Sequence, residues 1–193
     1  MSAGIKKYFE ESLEILNQFI NSPDAFNKIE KASTIIAEAI KNGNKVISFG
    51  NGGSMCDAMH LAEELLGRFR KNRKPYPAIA ISDPAYISCV SNDYSYDSVF
   101  LRFIEGIGKP GDVLVAISTS GRSKNVIEAI SSAKKLGLKV ISLTGRDGGN
   151  MPPFSDVVIN VPSPYNFADH IQEIHIKIIH SIIMRVEEIL GDA

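Results

Sequence analysis

From residue 45 onward the chain alternates between short Val/Ile-rich runs and longer stretches with helical spacing, and few folds accommodate that alternation. The runs are 45–49 (Lys-Val-Ile-Ser-Phe), 78–81 (Ala-Ile-Ala-Ile), 112–117 (Asp-Val-Leu-Val-Ala-Ile), 139–143 (Lys-Val-Ile-Ser-Leu) and 156–161 (Asp-Val-Val-Ile-Asn-Val). Continuously apolar strands are what burial on both sheet faces requires, the condition of a parallel sheet between two helical layers. Helical patterns over 54–69, 85–90, 97–106, 123–136 and 166–190 supply the crossovers. Right-handed connections then predict an α/β fold with a doubly wound, five-stranded parallel sheet.

Ahead of the sheet, two extra N-terminal helices are expected. Ile5, Phe9, Leu13, Leu16, Phe19 and Ile20 form an apolar stripe, and Pro23-Asp24 ends that helix and starts the next. Phe26, Ile29, Ala32, Ile36 and Ile40 then run to a stop at Gly43. These helices and the last one are more apolar than a single five-stranded layer needs, which predicts an obligate oligomer. Residues 1–193 form one expected domain, with 1–43 as a helical N-terminal arm, since no linker, low-complexity tract or repeat divides them. The 44% hydrophobic content and 21 basic against 22 acidic residues describe a soluble globular chain with no basic excess for nucleic acid. Cys56 and Cys89 fit no metal or redox spacing and read as reduced thiols. The first residues carry charges where a secretory signal needs an apolar core, and no run is long enough to span a bilayer, so a cytoplasmic location is expected.

Two strand-to-helix turns carry polar chemistry. Ser118-Thr119-Ser120-Gly121-Arg122-Ser123 joins the third run to a helix in which Val126, Ile127, Ile130 and Ala133 are spaced for one face. Such a turn aims backbone N–H groups and several hydroxyls at one spot, where the positive end of the helix favours an anion such as phosphate. The competing reading is that Ser120 or Ser123 merely caps the helix. The second turn, Gly50-Asn51-Gly52-Gly53-Ser54, follows the first run. It lacks a full dinucleotide fingerprint, and no acidic residue ends the next strand to hold a ribose, so a nucleotide is not expected. Its glycines permit close backbone approach, while Asn51 and Ser54 offer side-chain hydrogen bonds; a plain tight turn is the alternative. Both turns belong to the carboxyl edge of the sheet, where ligands of open α/β folds bind.

His60 and Glu64 stand at i, i+4 on the helix after the glycine turn, about 6 Å apart at the backbone, whereas Glu63 faces elsewhere. An imidazole and a carboxylate so placed can act as a base with its partner or as two metal ligands, or simply form a solvated face. The final helix adds Asp169, His170, Gln172, Glu173, His175 and His180 to an otherwise apolar segment. His180 lies among isoleucines and must find a partner, as a satisfied core histidine or as an acid or ligand.

Gly50-Asn-Gly-Gly-Ser54, Cys56-Asp-Ala-Met-His60-Leu-Ala-Glu-Glu64, Ala78-Ile-Ala-Ile-Ser82, Ser91-Asn-Asp93, Ile117-Ser-Thr-Ser-Gly121 and Ile171-Gln-Glu-Ile-His175 together resemble the phosphoheptose (sedoheptulose 7-phosphate) isomerases of the sugar isomerase (SIS) domain superfamily. The resemblance runs in order along nearly the whole chain. It implies a flavodoxin-like SIS domain in a cytoplasmic homotetramer, with no membrane or nucleic-acid partner. It also implies ketose–aldose isomerisation of a seven-carbon sugar phosphate through an enediol, as the first step toward activated heptoses for lipopolysaccharide or another surface glycan. Glu64 and His180 take the proton-transfer roles by this likeness. Asn51, Gly52, Gly53, Glu64, Asn92, Asp93, Ser118, Thr119, Ser120, Ser123 and Gln172 become substrate contacts. His60, Glu64, Gln172 and His180 become ligands of one weakly held zinc per subunit. Met55 and Arg122 depart from the family pattern, Arg122 being positioned either to reinforce a phosphate site or to point to solvent. Gln172 and His180 lie about 12 Å apart along one helix, so sharing one ion requires long reaches or ligands from different subunits. The alternatives are an isomerase of another phosphosugar, such as an aminosugar phosphate, and a non-catalytic SIS regulator that binds a replication initiator. A regulator of that kind lacks the acid–base pair, and here both Glu64 and His180 are present.

Overall fold

The computed structural model describes residues 3–192. Two helices, α1 (Ala3–Ile20) and α2 (Ala25–Lys41), precede an alternating series: β1 (Val46–Gly50), α3 (Gly53–Leu66), β2 (Ala78–Ala80), α4 (Pro84–Asp93), α5 (Val99–Ile107), β3 (Val113–Ser118), α6 (Lys124–Lys135), β4 (Lys139–Gly145), β5 (Val157–Val161) and α7 (Asp169–Leu190). The five strands pair in parallel in the order β2-β1-β3-β4-β5. The winding reverses between β1 and β3, whose register pairs Gly50 with Ile117. Both polar turns therefore leave adjacent strands at the switch point, where a crevice opens in folds of this kind.

Strand alternation sorts the core into two layers. Val113, Val115 and Ile117 of β3 pack with α2, α3 and α7 on one face, whereas Leu114 and Ala116 pack with Val126 and Ile130 of α6 and with Phe100 and Ile104 of α5 on the other. Every residue of β1 and β3 is buried, which is why their sequences carry no polar alternation.

The element boundaries depart from the sequence expectation where local chemistry intervenes. The helix expected over 166–190 begins only at Asp169, and that expected over 97–106 resolves into a short 3-10 turn, Tyr96–Ser98, followed by α5. β2 stops at Ala80, although the Ile81 amide still donates to the Ser48 carbonyl at 2.9 Å. Only the C-terminal part of the α1 stripe reaches the chain's own core: Phe19 is buried, with Ile15 beside it, while Ile5, Phe9 and Leu13 are exposed by 64%, 70% and 57%. No helix among the described residues is long and apolar enough to cross a membrane.

Candidate active site

The hydroxyl turn begins where β3 ends. Ser118 is buried, and its Oγ lies 3.2 Å from Oγ of Ser123, the residue preceding α6. Ser123 makes no side-chain cap, and the Ser120 hydroxyl accepts from the Arg122 amide at 3.2 Å rather than from a helical N–H. Plain helix capping therefore does not account for these serines. Their hydroxyls, with Asn51, Ser54 and Thr119, line a small cavity of about 120 Å³. Gly121 has φ +63, and a Cβ there would fall 2.2 Å from the Gly148 carbonyl oxygen, so only glycine lets the loop after β4 close over this turn. Arg122 neither enters the cavity nor points freely to solvent: its guanidinium grips both carboxylate oxygens of Asp147 and donates to the Ser120 carbonyl. That grip holds the Asp147 carboxyl down at about 2. Met55, the other departure from the family pattern, packs against the α5–α6 side of the core.

A second cavity, about 250 Å³, continues from the first and is lined by Asn51, Gly53, Ser54, Thr119, Ala168, Asp169 and Gln172. Here α7 meets the start of α3. The Gln172 amide donates to the Gly53 carbonyl at 3.1 Å and to Asp57 Oδ1 at 3.2 Å. A Cβ at Gly53 would sit 2.6 Å from Gln172 Oε1, so this glycine makes room for the glutamine. Asp57 is nearly buried, and desolvation, its largest influence, pushes its carboxyl above the usual range against the pull of Gln172 and His60.

Further along the same two helices lies the basic-acidic cluster. His60 Nε2 is 2.9 Å from His180 Nε2 and 3.5 Å from Glu64 Oε1. Glu63 does not turn away as the sequence spacing suggests; its carboxylate reaches His60 Nδ1 at 3.1 Å by the i, i+3 route. The Phe69 ring packs against His180 at 5.6 Å between centroids. Burial pushes the His180 imidazole below its ordinary pKa, His60 adds to that shift, and Glu64 opposes it. One potential ligand atom from each of His60, Glu64 and His180 lies within 4.8 Å of the others. Two imidazole nitrogens and a carboxylate oxygen fit the donor set of a catalytic zinc ion.

Of the residues picked out from sequence, the structure gathers Asn51, Gly53, Ser118, Thr119, Ser120, Ser123 and Gln172 around the two cavities, with Gly52 at the entry to α3. It gathers His60, Glu64 and His180 separately, and Gln172 is held away from that trio at the start of α3. Asn92 and Asp93 end α4, exposed, with Asn92 donating to Asp93 at 2.8 Å, and neither lines the two cavities. His175 is a buried core histidine: its Nε2 donates to the Thr144 carbonyl at 3.0 Å, its Nδ1 has no partner among the described residues, and burial lowers its pKa to about 4. His170 is likewise buried, with its Nδ1 2.8 Å from Ser12 Oγ. The sequence reading passed over Asp57 as well as Asn125 and Tyr96, both of which hydrogen-bond Asn51. Asp57 lies one turn before His60 on the same face, a signal that was available.

A SIS-domain profile matches residues 7–145, and a second matches 108–184. The chain is 55% identical over 190 residues to the phosphoheptose isomerase of Cytophaga hutchinsonii, covering 98% of this chain and 99% of that one. A solved phosphoheptose isomerase from Francisella tularensis superposes with a TM-score of 0.88 at 35% identity, covering 96% of this chain and 97% of that chain. The Neisseria gonorrhoeae phosphoheptose isomerase does so with 0.86 at 35% identity, covering 95% and 97%. Identity at that level over nearly the full length of both chains, on a superposable fold, means that this protein belongs to the SIS-domain family, among its phosphoheptose isomerases.

Proposed function

We propose that this protein interconverts sedoheptulose 7-phosphate and D-glycero-D-manno-heptose 7-phosphate in the cytoplasm, at the head of activated-heptose synthesis for lipopolysaccharide or another surface glycan. The observation that carries the reading is the pairing, on one fold, of an uncapping hydroxyl turn with a carboxylate set against two imidazoles. The turn holds the phosphate through the hydroxyls of Ser118, Thr119, Ser120 and Ser123 and fixes the sugar's orientation by binding far from the reacting carbons. Gly52, Gly53, Gln172, Asn92 and Asp93 serve the sugar chain.

Isomerisation moves a hydrogen between C1 and C2. Glu64 takes the carbon-bound proton, and the C–H electron pair becomes the C1–C2 double bond of the enediol as the carbonyl π pair moves onto oxygen and is protonated there. Glu64, having exchanged its proton with solvent, returns one to the neighbouring carbon. His180, biased by burial toward its neutral form, relays a proton between the oxygens on C1 and C2. A zinc ion held by His60, Glu64 and His180 would polarise those oxygens as negative charge develops.

Distance supports sites shared between copies of this chain, which a homotetramer would provide. Eleven residues separate Gly53 from Glu64 along α3, about 16 Å of helix rise. A seven-carbon sugar, at roughly 1.5 Å per bond, reaches at most about 9 Å from C1 to C7, and its phosphate ester adds about 3 Å. That separation favours pairing the turn of one copy with the Glu64/His180 pair of another, and Gln172 would then reach a shared ion across the interface. The exposed Ile5, Phe9 and Leu13 of α1 and the apolar groove lined by Leu16, Phe19, Phe26 and Ile178 supply surface for such contacts. The test is turnover of sedoheptulose 7-phosphate against other ketose phosphates, with and without chelator, following exchange of the C1/C2 hydrogen in deuterated water. Preference for a five- or six-carbon ketose phosphate would overturn the substrate, and absence of exchange with any of them would overturn the reaction.

A further inference from the structure

The crevice between β1 and β3 is spanned by a ring of hydrogen bonds between two asparagines. Asn51, in the turn after β1, donates from Nδ2 to Asn125 Oδ1 at 2.9 Å, and Asn125, in the first turn of α6, donates from Nδ2 to Asn51 Oδ1 at 2.9 Å. The Tyr96 hydroxyl adds a donor to the same Asn51 oxygen at 2.8 Å. Tyr96 comes from a third segment, which is tied to α6 through Lys124 and Asp97 at 2.7 Å. Asn125 is only 3% exposed. A buried amide is costly unless both its groups are paired, and an apolar residue would suit that helix position better if packing were the only demand.

Counting hydrogen-bond capacity shows what the ring accomplishes. Both lone pairs of Asn51 Oδ1 are used, one by Asn125 and one by Tyr96, and one Nδ2 proton is used by Asn125. The single uncommitted polar group of Asn51 is its second Nδ2–H, on a side chain that lines both cavities. Asn51 can therefore offer the ligand a donor and not an acceptor, which suits a phosphate or hydroxyl oxygen. Without its partners the amide is free to rotate, and the two turns lose the side-chain bonds that join them.

We infer that Asn125, assisted by Tyr96, is a positioning residue that fixes Asn51 as a donor and sets the spacing of the two ligand-binding turns across the switch point. This inference rests on the reading that the 118–123 turn holds phosphate. The experiment is a mutant cycle with Asn51→Ala, Asn125→Ala, their double variant and Tyr96→Phe, each checked for fold and assembly. The readouts are kcat, KM for sedoheptulose 7-phosphate and competitive inhibition by inorganic phosphate. Asn125→Ala is expected to raise both KM and the phosphate inhibition constant about tenfold, with kcat held within about threefold. Tyr96→Phe, which keeps the ring and removes only the hydroxyl, is expected to raise both about threefold. Neither change should add to Asn51→Ala, because each acts through that side chain. If Asn125→Ala multiplies its full factor onto Asn51→Ala, or lowers kcat at unchanged KM, the positioning role is wrong. Should Asn125→Ala fail to fold, Tyr96→Phe alone and on Asn51→Ala decides the matter by the same rule. Unchanged phosphate inhibition in Ser120→Ala/Ser123→Ala would instead overturn the phosphate turn itself, which separates the two failures.

Discussion

His60 Nε2 faces His180 Nε2 at 2.9 Å, so one of the two nitrogens carries a proton and the other a lone pair. A divalent ion bound by both would have to displace that proton, leaving each ring neutral with its N–H on Nδ1. Changing only a group that hydrogen-bonds a ligand commonly costs about 10–100-fold in metal affinity, so removing a ligand by His60→Ala or His180→Gln should weaken zinc binding by at least about 100-fold. Competition with a chromophoric chelator measures this without any turnover. Affinity unchanged in both variants would remove the ion from this cluster.

Glu64 lies within reach of the same imidazole, at 3.5 Å, and can serve as base or ligand. Glu64→Gln keeps size and hydrogen-bonding reach, and loss of a general base commonly costs ~10²–10⁴-fold, so kcat should fall by that order while substrate still binds. Hydrogen exchange at C1/C2, followed by NMR with bound metal quantified, separates the roles. Exchange lost with metal retained identifies the base; exchange lost only together with the metal identifies a ligand.

Ser120 and Ser123 make no caps on α6, which frees their hydroxyls for a ligand. Ser120→Ala combined with Ser123→Ala should raise KM strongly, each charge-assisted bond to phosphate being worth on the order of 1–3 kcal/mol. Steady-state kinetics on the folded variant decide it, and unchanged KM would refute the assignment.

Which parts of this arrangement were legible in the sequence follows from how far each signal extends. The strands announced themselves because burial on both faces imposes a run of Val and Ile several residues long. The α1 stripe announced an apolar surface but not its partner, since Ile5 and Phe9 obey helical spacing whether they face their own core or another copy. Gln172 and His180 enter one ligand set only through the family resemblance; seven residues lie between them along α7, and Gln172 hydrogen-bonds Gly53 and Asp57. Asn125 was not legible, because one amide in a helical pattern looks like surface until β1 and β3 are known to be neighbours.

His175 couples the fold to pH. Its imidazole is fully buried, and its pKa is lowered from 6.5 to about 4, so the native state refuses a proton that the unfolded chain accepts below about 6.5. Stability should therefore fall as pH drops from about 6.5 toward 4, by up to about 3 kcal/mol from this group. Urea midpoints at pH 7 and pH 5 test this, with His175→Phe expected to flatten the difference; an equal slope in that variant would assign the effect to other groups.

The final prediction concerns which subunit supplies what. Along α3, about 16 Å of helix rise separates Gly53, in the wall of the second cavity, from Glu64. If each site joins the phosphate turn of one copy to the acid–base pair of another, two variants impaired in different parts should rescue each other when assayed at substrate concentrations well below the raised KM. Ser120→Ala/Ser123→Ala keeps a sound Glu64, and Glu64→Gln keeps a sound turn. Mixing them under conditions that exchange subunits should create sites with both parts intact, whereas the unmixed proteins have none. Random exchange of equal amounts should restore about a quarter of the sites, since each needs a sound turn from one copy and a sound Glu64 from another. Activity that stays at the level of the separate variants, with exchange verified by tagged subunits in native mass spectrometry, would place turn and base in the same copy.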